Sequence, residues 1–419
     1  MLHNNLRSRI TWALLLFACC LACVTGAWAQ PIPETAGPLV GHTTPTSTSL
    51  WMYAKRGAKV EAIYRNSTGG DEQRAMFAPI DKPAGEIEGA VYKLTLDGLK
   101  PDTRYRYRVV IDGEQSPDHA ASFKTAPAQG EASTFRIAVT SCMKFGQKQG
   151  SWTLLLNEQP DMHITLGDTQ YSDTTNPSVQ WRHHLRYRAV KEYAAVNRGV
   201  PNYAMWDDHD YGPNNSDGTA KGKEKSLAGW AQFWANPASG TDDTPGAFYS
   251  YTWGEVEFFM LDGRYHRSPD RDKDDADKRM LGDAQFAWLV DGLKNSKAKF
   301  KVIASGSTLH DSKGDGWRIY TFARHRLFDA IKSNKIGGVV YMSGDMHYSR
   351  VWEHHESDRV GYPFVEVVSS GVANSKTLSF ATVDFDTEAA DPTVRVRIIH
   401  GDGKAHDDKT WKLSELQVK

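Results

Sequence analysis

The sequence predicts an N-terminal all-β sandwich followed by a layered α/β domain, and three observations carry this. Across residues 30–127, short runs of alternating polar and apolar residues are separated by Gly, Pro and Asp turns, as in small antiparallel sheets. Beyond Ser133 the pattern changes to apolar strands alternating with amphipathic helices, which implies sheets covered by helices. Four of these strands, near 135–142, 161–171, 200–210 and 338–347, run directly into turns rich in Asp, His, Tyr or Cys.

The first 29 residues read as a secretory signal peptide: Arg7 and Arg9 precede the apolar run Trp12 to Val24, and Ala27-Trp28-Ala29 offers a small-x-small cleavage site. The run is too short for a membrane span, so the expected location is periplasmic or secreted. Cys19, Cys20 and Cys23 lie inside this leader, and a lipoprotein anchored through one of them is the alternative. No consecutive Arg-Arg pair marks the leader for export of a folded protein. Cleavage after Ala29 would leave one thiol, Cys142, and no intramolecular disulfide. A length of 419 residues predicts two or three domains, and a formal charge of -1 gives no electrostatic argument for nucleic acid or an anionic membrane.

Within the sandwich, strands are expected at Ser49 to Tyr53, Val60 to Tyr64 and Val91 to Leu96. From Leu99 to Val109 the pattern Leu-x-Pro-x-Thr-x-Tyr-x-Tyr-x-Val puts Tyr105, Tyr107 and Val109 on one face, and it resembles a corner of fibronectin type III modules. Ala126 to Gly130 reads as a linker.

In the α/β domain, 134–402, strands are expected at 135–141, 161–166, 299–305, 338–342, 364–368, 378–385 and 394–400, with a hairpin at 248–261. Helices are expected at 151–158, 178–197, 223–234, 282–295 and 319–332. The charged run Ser268 to Lys278 reads as a solvated loop, because it lacks a calcium-loop spacing, and 403–419 reads as a polar tail.

The chemistry is concentrated in Trp206-Asp207-Asp208-His209-Asp210. Carboxylates this close repel one another unless a cation joins them; a solvated acidic turn capping the next helix is the alternative reading of these residues. In Gly167-Asp168-Thr-Gln-Tyr171 a carboxylate at the strand end can bridge two metals, and the phenol can join one acidic enough to deprotonate it, for which ferric iron is the natural candidate. A turn with a packed tyrosine would look the same. In Ser343-Gly344-Asp345-Met346-His347, residues two apart point the same way and could serve adjacent metal positions. Cys142 is either a small buried hydrophobe or a thiolate ligand.

Taken in order, Ser141-Cys142, Gly167-Asp168-x-x-Tyr171, Trp206-Asp207-Asp208-His209-Asp210, Leu261-Asp262-x-Arg264 and Ser343-Gly344-Asp345-x-His347 resemble the PhoD-like (alkaline phosphatase D) metallophosphoesterases, relatives of the purple acid phosphatases. The resemblance implies a four-layer metallophosphoesterase fold and a binuclear site. It implies Fe3+ held by Cys142, Asp168, Tyr171 and His347, and a divalent ion held by Asp168, Asp208 and Asp345. A carboxylate-rich second site favours Ca2+, with Mg2+, Mn2+ and Zn2+ as the other candidates. His209 would meet the phosphate, Arg264 would be a second anion contact, and Asn214 would complete the catalytic set; Asn215 and His310 are left unassigned.

The implied function is an exported phosphoric ester hydrolase acting on phosphate monoesters, diesters or both. Two alternatives stay open: a phospholipase D-like phosphodiesterase taking phospholipid headgroups at the same metals, and a non-catalytic exported binding module.

Overall fold

Side-chain alternation dictates the first eight strands of the computed structural model, which describes residues 32–310 and 316–419. The expected leader, with Cys19, Cys20 and Cys23, lies outside the described residues. The strands are β1 (Ala36–Thr43), β2 (Ser47–Ala54), β3 (Val60–Asn66), β4 (Gln73–Met76), β5 (Ala78–Pro79), β6 (Ala90–Asp97), β7 (Arg104–Ile111) and β8 (Glu114–Lys124). They form two antiparallel sheets ordered β1-β2-β6-β5 and β4-β3-β7-β8. Tyr105, Tyr107 and Val109 of β7 face inward and share one apolar cluster with Leu50, Met52 and Tyr92 of the other sheet, while Arg104 and Arg106 face water. The Tyr105 hydroxyl accepts from the Lys100 N–H at 2.9 Å and pins the turn before β7.

Twelve further strands follow: β9 (Thr134–Thr140), β10 (Met162–Leu166), β11 (Asn202–Met205), β12 (Tyr249–Trp253), β13 (Val256–Met260), β14 (Phe300–Ser305), β15 (Val339–Ser343), β16 (Ser349–Glu353), β17 (Val365–Ser369), β18 (Ser379–Asp386), β19 (Thr393–His400) and β20 (Ala405–Lys412). They form two six-stranded mixed sheets, ordered β11-β10-β9-β18-β19-β20 and β12-β13-β14-β15-β17-β16. Adjacent residues of one strand reveal the layers. Phe258 meets Phe385 of the opposite sheet, whereas Phe259 meets Trp288 of the helix Asp283–Asn295. On β10, Ile164 joins the apolar core, while His163 turns outward to Trp152 of the helix Ser151–Asn157. Helices therefore cover the outer face of each sheet, and the core lies between the sheets.

The sandwich docks on the end of the helix Lys223–Phe233. Lys93 Nζ donates to the carbonyls of Ala231 and Trp234, and Trp51 Nε1 donates to that of Gln232. These groups satisfy carbonyls that a helix C-terminus leaves without intrahelical partners, and a cation there opposes the helix dipole. Burial pushes the Lys93 ammonium down to about 8.

Four expectations need correction. The helix expected at 178–197 is two helices, Pro177–Arg188 and Lys191–Gly199. Val190 adopts extended geometry between them, and its carbonyl accepts from Ala194 to start the second helix; Tyr193 and Val196 keep the apolar period, which hid the break. The expected polar tail contains β20, paired antiparallel with β19 and carrying the Arg395–Asp408 ion pair. An edge strand wet on one side needs little apolar content, and Trp411 supplies most of it. β16 is a further edge strand that the sequence pattern does not announce. In the charged run 268–278, Lys278 is buried and donates to the Asp270 carbonyl, and the Asp270 carboxylate receives Arg267 and Tyr320, so the run is packed through its ion pairs rather than solvated throughout.

Candidate metal centre

The carboxyl ends of parallel strands from both sheets meet at one rim, where open α/β sheets generally place ligands. Ser141, after β9, donates to the carbonyl of Ser369 at the end of β17, and Cys142 Sγ lies 3.0 Å from Ser370 Oγ. Gly344 and Gly306 make the approach feasible: a Cβ on Gly344 would stand 2.7 Å from Ser141 Oγ, and one on Gly306 would stand 2.4 Å from Asp207 Cγ.

Three overlapping triads form there. Cys142, Asp168 and His347 offer ligand atoms within 4.8 Å of one another, as do Asp168, Asp208 and His209, and Asp207, Asp208 and Asp345. The Tyr171 hydroxyl closes the first triad, 3.4 Å from both Asp168 Oδ2 and His347 Nε2. All six residues expected as ligands, Cys142, Asp168, Tyr171, Asp208, Asp345 and His347, therefore belong to one cluster. Five of them have left-handed backbone: Cys142 (φ 59°), Asp168 (φ 55°), Tyr171 (φ 43°), Asp345 (φ 69°) and His347 (φ 56°). Each such non-glycine residue costs on the order of 1–3 kcal/mol, a concentration of strain typical of functional sites.

Electrostatics tests whether the cluster suits a cation. Burial, followed by Cys142, Asp208, Asp207 and Asp345, raises the Asp168 carboxyl well above its ordinary range. Asp168 Oδ1 is buried with no hydrogen-bond partner among the described residues. Burial likewise pushes the Cys142 thiol up to about 11 and raises the Tyr171 phenol. A set of sulfur, oxygen and nitrogen donors this crowded is unfavourable as it stands and favourable around positive charge, so the residues fit metal ions.

His209 packs against Tyr171 at a tilt of 32°, with ring centroids 4.3 Å apart, and its Nδ1 lies 2.6 Å from Asp173 Oδ1. Burial works to lower its pKa, but Asp173, Asp208 and Asp210 outweigh it and the net shift is upward. The capping box of the short helix Asp208–Tyr211 sets this arrangement, with Asp210 accepting from the Asp207, Thr169 and Gln170 amides.

Two residues expected in direct contact with substrate are placed otherwise. Arg264 is fully buried, with Nε 2.5 Å from Asp207 Oδ1 and Nη2 3.7 Å from Asp208 Oδ1, so it supports the carboxylates from behind. Asn214 is exposed and donates to Asn215 Oδ1, whereas the Asn215 N–H donates to Asp208 Oδ2 at 2.7 Å. His310 groups with His354 and His355 instead of joining the centre.

Sequence reasoning missed Asp173, which orients His209, and Asn374, whose Nδ2 lies 3.1 Å from the Tyr171 hydroxyl and 2.9 Å from His347 Nε2. The end of β17 at Ser369-Ser370 repeats the signal of an apolar strand entering a polar turn, and it would have pointed to this loop.

Comparison with known proteins bears on the family and the fold. The chain is 25% identical to alkaline phosphatase D of Bacillus subtilis over 312 residues, 60% of this chain and 52% of that protein. It is 24% identical to a purple acid phosphatase of Arabidopsis thaliana over 301 residues, 66% of this chain and 60% of that protein. The match thus spans about half to three-fifths of these relatives' length. A solved PhoD structure superposes with a TM-score of 0.68 at 18% identity, covering 92% of both chains. A purple acid phosphatase from yellow lupin (Lupinus luteus) seeds also gives 0.68, at 13% identity, covering 90% of this chain and 74% of the other. These two likenesses establish the fold. The family model described as PhoD-like phosphatase matches residues 137–404, well over half of the sequence, and the chain therefore belongs to the PhoD-like phosphatase family.

Proposed function

We propose that the protein is an exported, metal-dependent phosphoric ester hydrolase acting on phosphate monoesters, diesters or both. One observation carries this: strand ends far apart in sequence bring Cys142, Asp168, Asp208, Asp345 and His347 into a single cluster of overlapping ligand triads. Cys142, Asp168, Tyr171 and His347 would hold a ferric ion. Asp168, Asp208 and Asp345, with Asp207 behind them, would hold a divalent ion, for which hard oxygen donors favour Ca2+. When bound, such ions supply Lewis-acid polarisation of the phosphoryl group and a water of lowered pKa.

The protein's own groups do the rest. Asp173 accepts the His209 Nδ1–H, which directs the other ring nitrogen away from Asp173, and the upward-shifted imidazole donates a proton or hydrogen bond to the transferring phosphoryl or leaving oxygen. Asn374 orients Tyr171 and His347. Arg264 fixes Asp207 and Asp208, a positioning role. The fibronectin III-like character of the sandwich belongs to the same proposal, as does export. No helix among the described residues is long and apolar enough to cross a membrane.

Elemental analysis of the purified protein, with hydrolysis of nitrophenyl mono- and diesters before and after chelation, tests the proposal. Stoichiometric iron and chelation-sensitive phosphate release are expected. Metal-free protein with undiminished turnover, or no turnover in any metal, would defeat it.

A further inference from the structure

His347 and Asn374 touch the ligand cluster on one side and line an open cleft of about 740 Å³ on the other. Past Lys376 and His400 the cleft continues into a second hollow of about 550 Å³, lined by Lys148 and His406 at its far side. Each hollow falls within the roughly 300–1,000 Å³ of small-molecule sites, and the two share Gln147, Ser375, Lys376, Thr377 and His400.

The lining side chains are mostly hydroxyl, amide and imidazole, with Ala373 and Leu378 as the aliphatic members, so it offers little aliphatic wall for an acyl chain. It does offer cations. Lys148 and Lys376 are both exposed, and Asp402 is the sole lining carboxylate. Asp402 is committed to its own turn: it accepts from the Lys404 N–H at 3.0 Å and lies 3.2 Å from His406 Nε2. The cleft thus begins beside His347 and Asn374 of the ligand cluster, and Lys376, shared by both hollows, and Lys148 in the second stand among its hydroxyl, amide and imidazole groups.

We infer that this cleft takes the alcohol half of the substrate, and that this half is hydroxyl-bearing and carries a second phosphate held by Lys148 and Lys376. The inference deepens the hydrolase proposal and rests on it. It favours soluble bisphosphorylated polyols or sugars over phospholipids.

The test uses metal-loaded protein with fructose 6-phosphate, fructose 1,6-bisphosphate, p-nitrophenyl phosphate and phosphatidylcholine micelles. The bisphosphate is expected to exceed the monophosphate in kcat/KM by about ten-fold, the scale of a hydrogen bond to a charged group. In the double variant Lys148→Ala/Lys376→Ala that ratio should fall towards unity. Calorimetry on chelator-treated protein, which does not turn over, should show bisphosphate binding weakened by a similar factor in the double variant. A wild-type ratio near unity, a ratio and affinity indifferent to the two lysines, or faster turnover of the phospholipid would each overturn the inference. If no phosphate is released from any ester, the hydrolase proposal fails instead, and calorimetry alone decides whether the cleft binds the bisphosphate.

Discussion

Arg264 Nε lies 2.5 Å from Asp207 Oδ1, with both side chains buried, beside the acidic turn that follows β11. The pair explains how the acidic strand end after β11 tolerates its density of charge. One guanidinium also reaches Asp208, so two carboxylates share one cation on the side away from solvent. Removing one partner of a buried pair leaves the other uncompensated, at a cost of about 3–5 kcal/mol. Arg264→Met is therefore expected to lower the melting temperature sharply and, in the metal-loaded protein, to reduce bound metal. Arg264→Lys keeps the charge but loses the planar fork, and should fall between the two. An unaltered melt in Arg264→Met would show that the pair adds nothing net.

Asp168 yields a prediction with a definite sign. Its carboxyl is raised well above the ordinary value by burial and by its acidic neighbours. In metal-free protein the folded state then binds a proton that the unfolded state releases, so stability is fullest below the unfolded carboxyl pKa and is lost as pH rises through the folded one. Metal-free protein should accordingly lose thermal stability between mildly acidic and neutral pH. Asp168→Asn should flatten that slope and raise the metal-free melting temperature, while abolishing metal retention and turnover. Melts at several pH values, with and without chelator, read all three effects; identical pH slopes in metal-free wild type and Asp168→Asn would contradict the assignment.

How much of this was legible beforehand varied with the kind of burial. β10 and β15 are buried on both faces; β15 is a nearly continuous apolar run and β10 has apolar residues at Met162, Ile164 and Leu166, so their ends are easy to find and ligands follow them. Cys142, Asp168, Asp208, Asp345 and His347 could be picked out for that reason. β16 and β20 lie at sheet edges, where one wet face dilutes the apolar signal. Arg264 was misplaced because its position after β13 is visible in sequence, whereas its direction, inward to Asp207, depends on a carboxylate 57 residues away. Asn374 stands 203 residues from Tyr171, and no local spacing encodes that contact.

His163 makes the sheet itself pH-sensitive. Its ring bridges three adjacent strands, with Nδ1 2.8 Å from Asn202 Oδ1 on β11 and Nε2 2.8 Å from Thr140 Oγ1 on β9. The amide oxygen can only accept, so the neutral ring carries its proton on Nδ1 and accepts from the threonine hydroxyl. Burial pushes the pKa down to about 4. The unfolded chain takes up a proton near pH 6.5 that the folded chain refuses, so this contribution is intact above pH 6.5 and is lost as pH falls towards 4. The full interval is worth about 3 kcal/mol. His163→Gln should show a shallower loss of stability between pH 6.5 and 4 in denaturant titrations, and an identical pH slope would exclude His163 as its source.

Asp173 governs His209 in the same linked sense, but the consequence falls on catalysis. The imidazole is raised net of burial, with the Asp173 hydrogen bond the largest upward contribution. If the proton on His209 assists departure of the leaving oxygen, activity should decline as pH rises through that raised pKa. Asp173→Asn keeps an acceptor of similar shape and removes the charge, so the alkaline limb of the pH–rate profile should move to lower pH. Because Asp173 is exposed and its partner is half-buried, the thermal melt should change little. His209→Ala should lower kcat by roughly 10²–10⁴ and remove the limb altogether, the range expected of a general acid. A profile in Asp173→Asn that superposes on wild type would mean that His209 acts without a proton of its own, as a hydrogen-bonding wall against Tyr171.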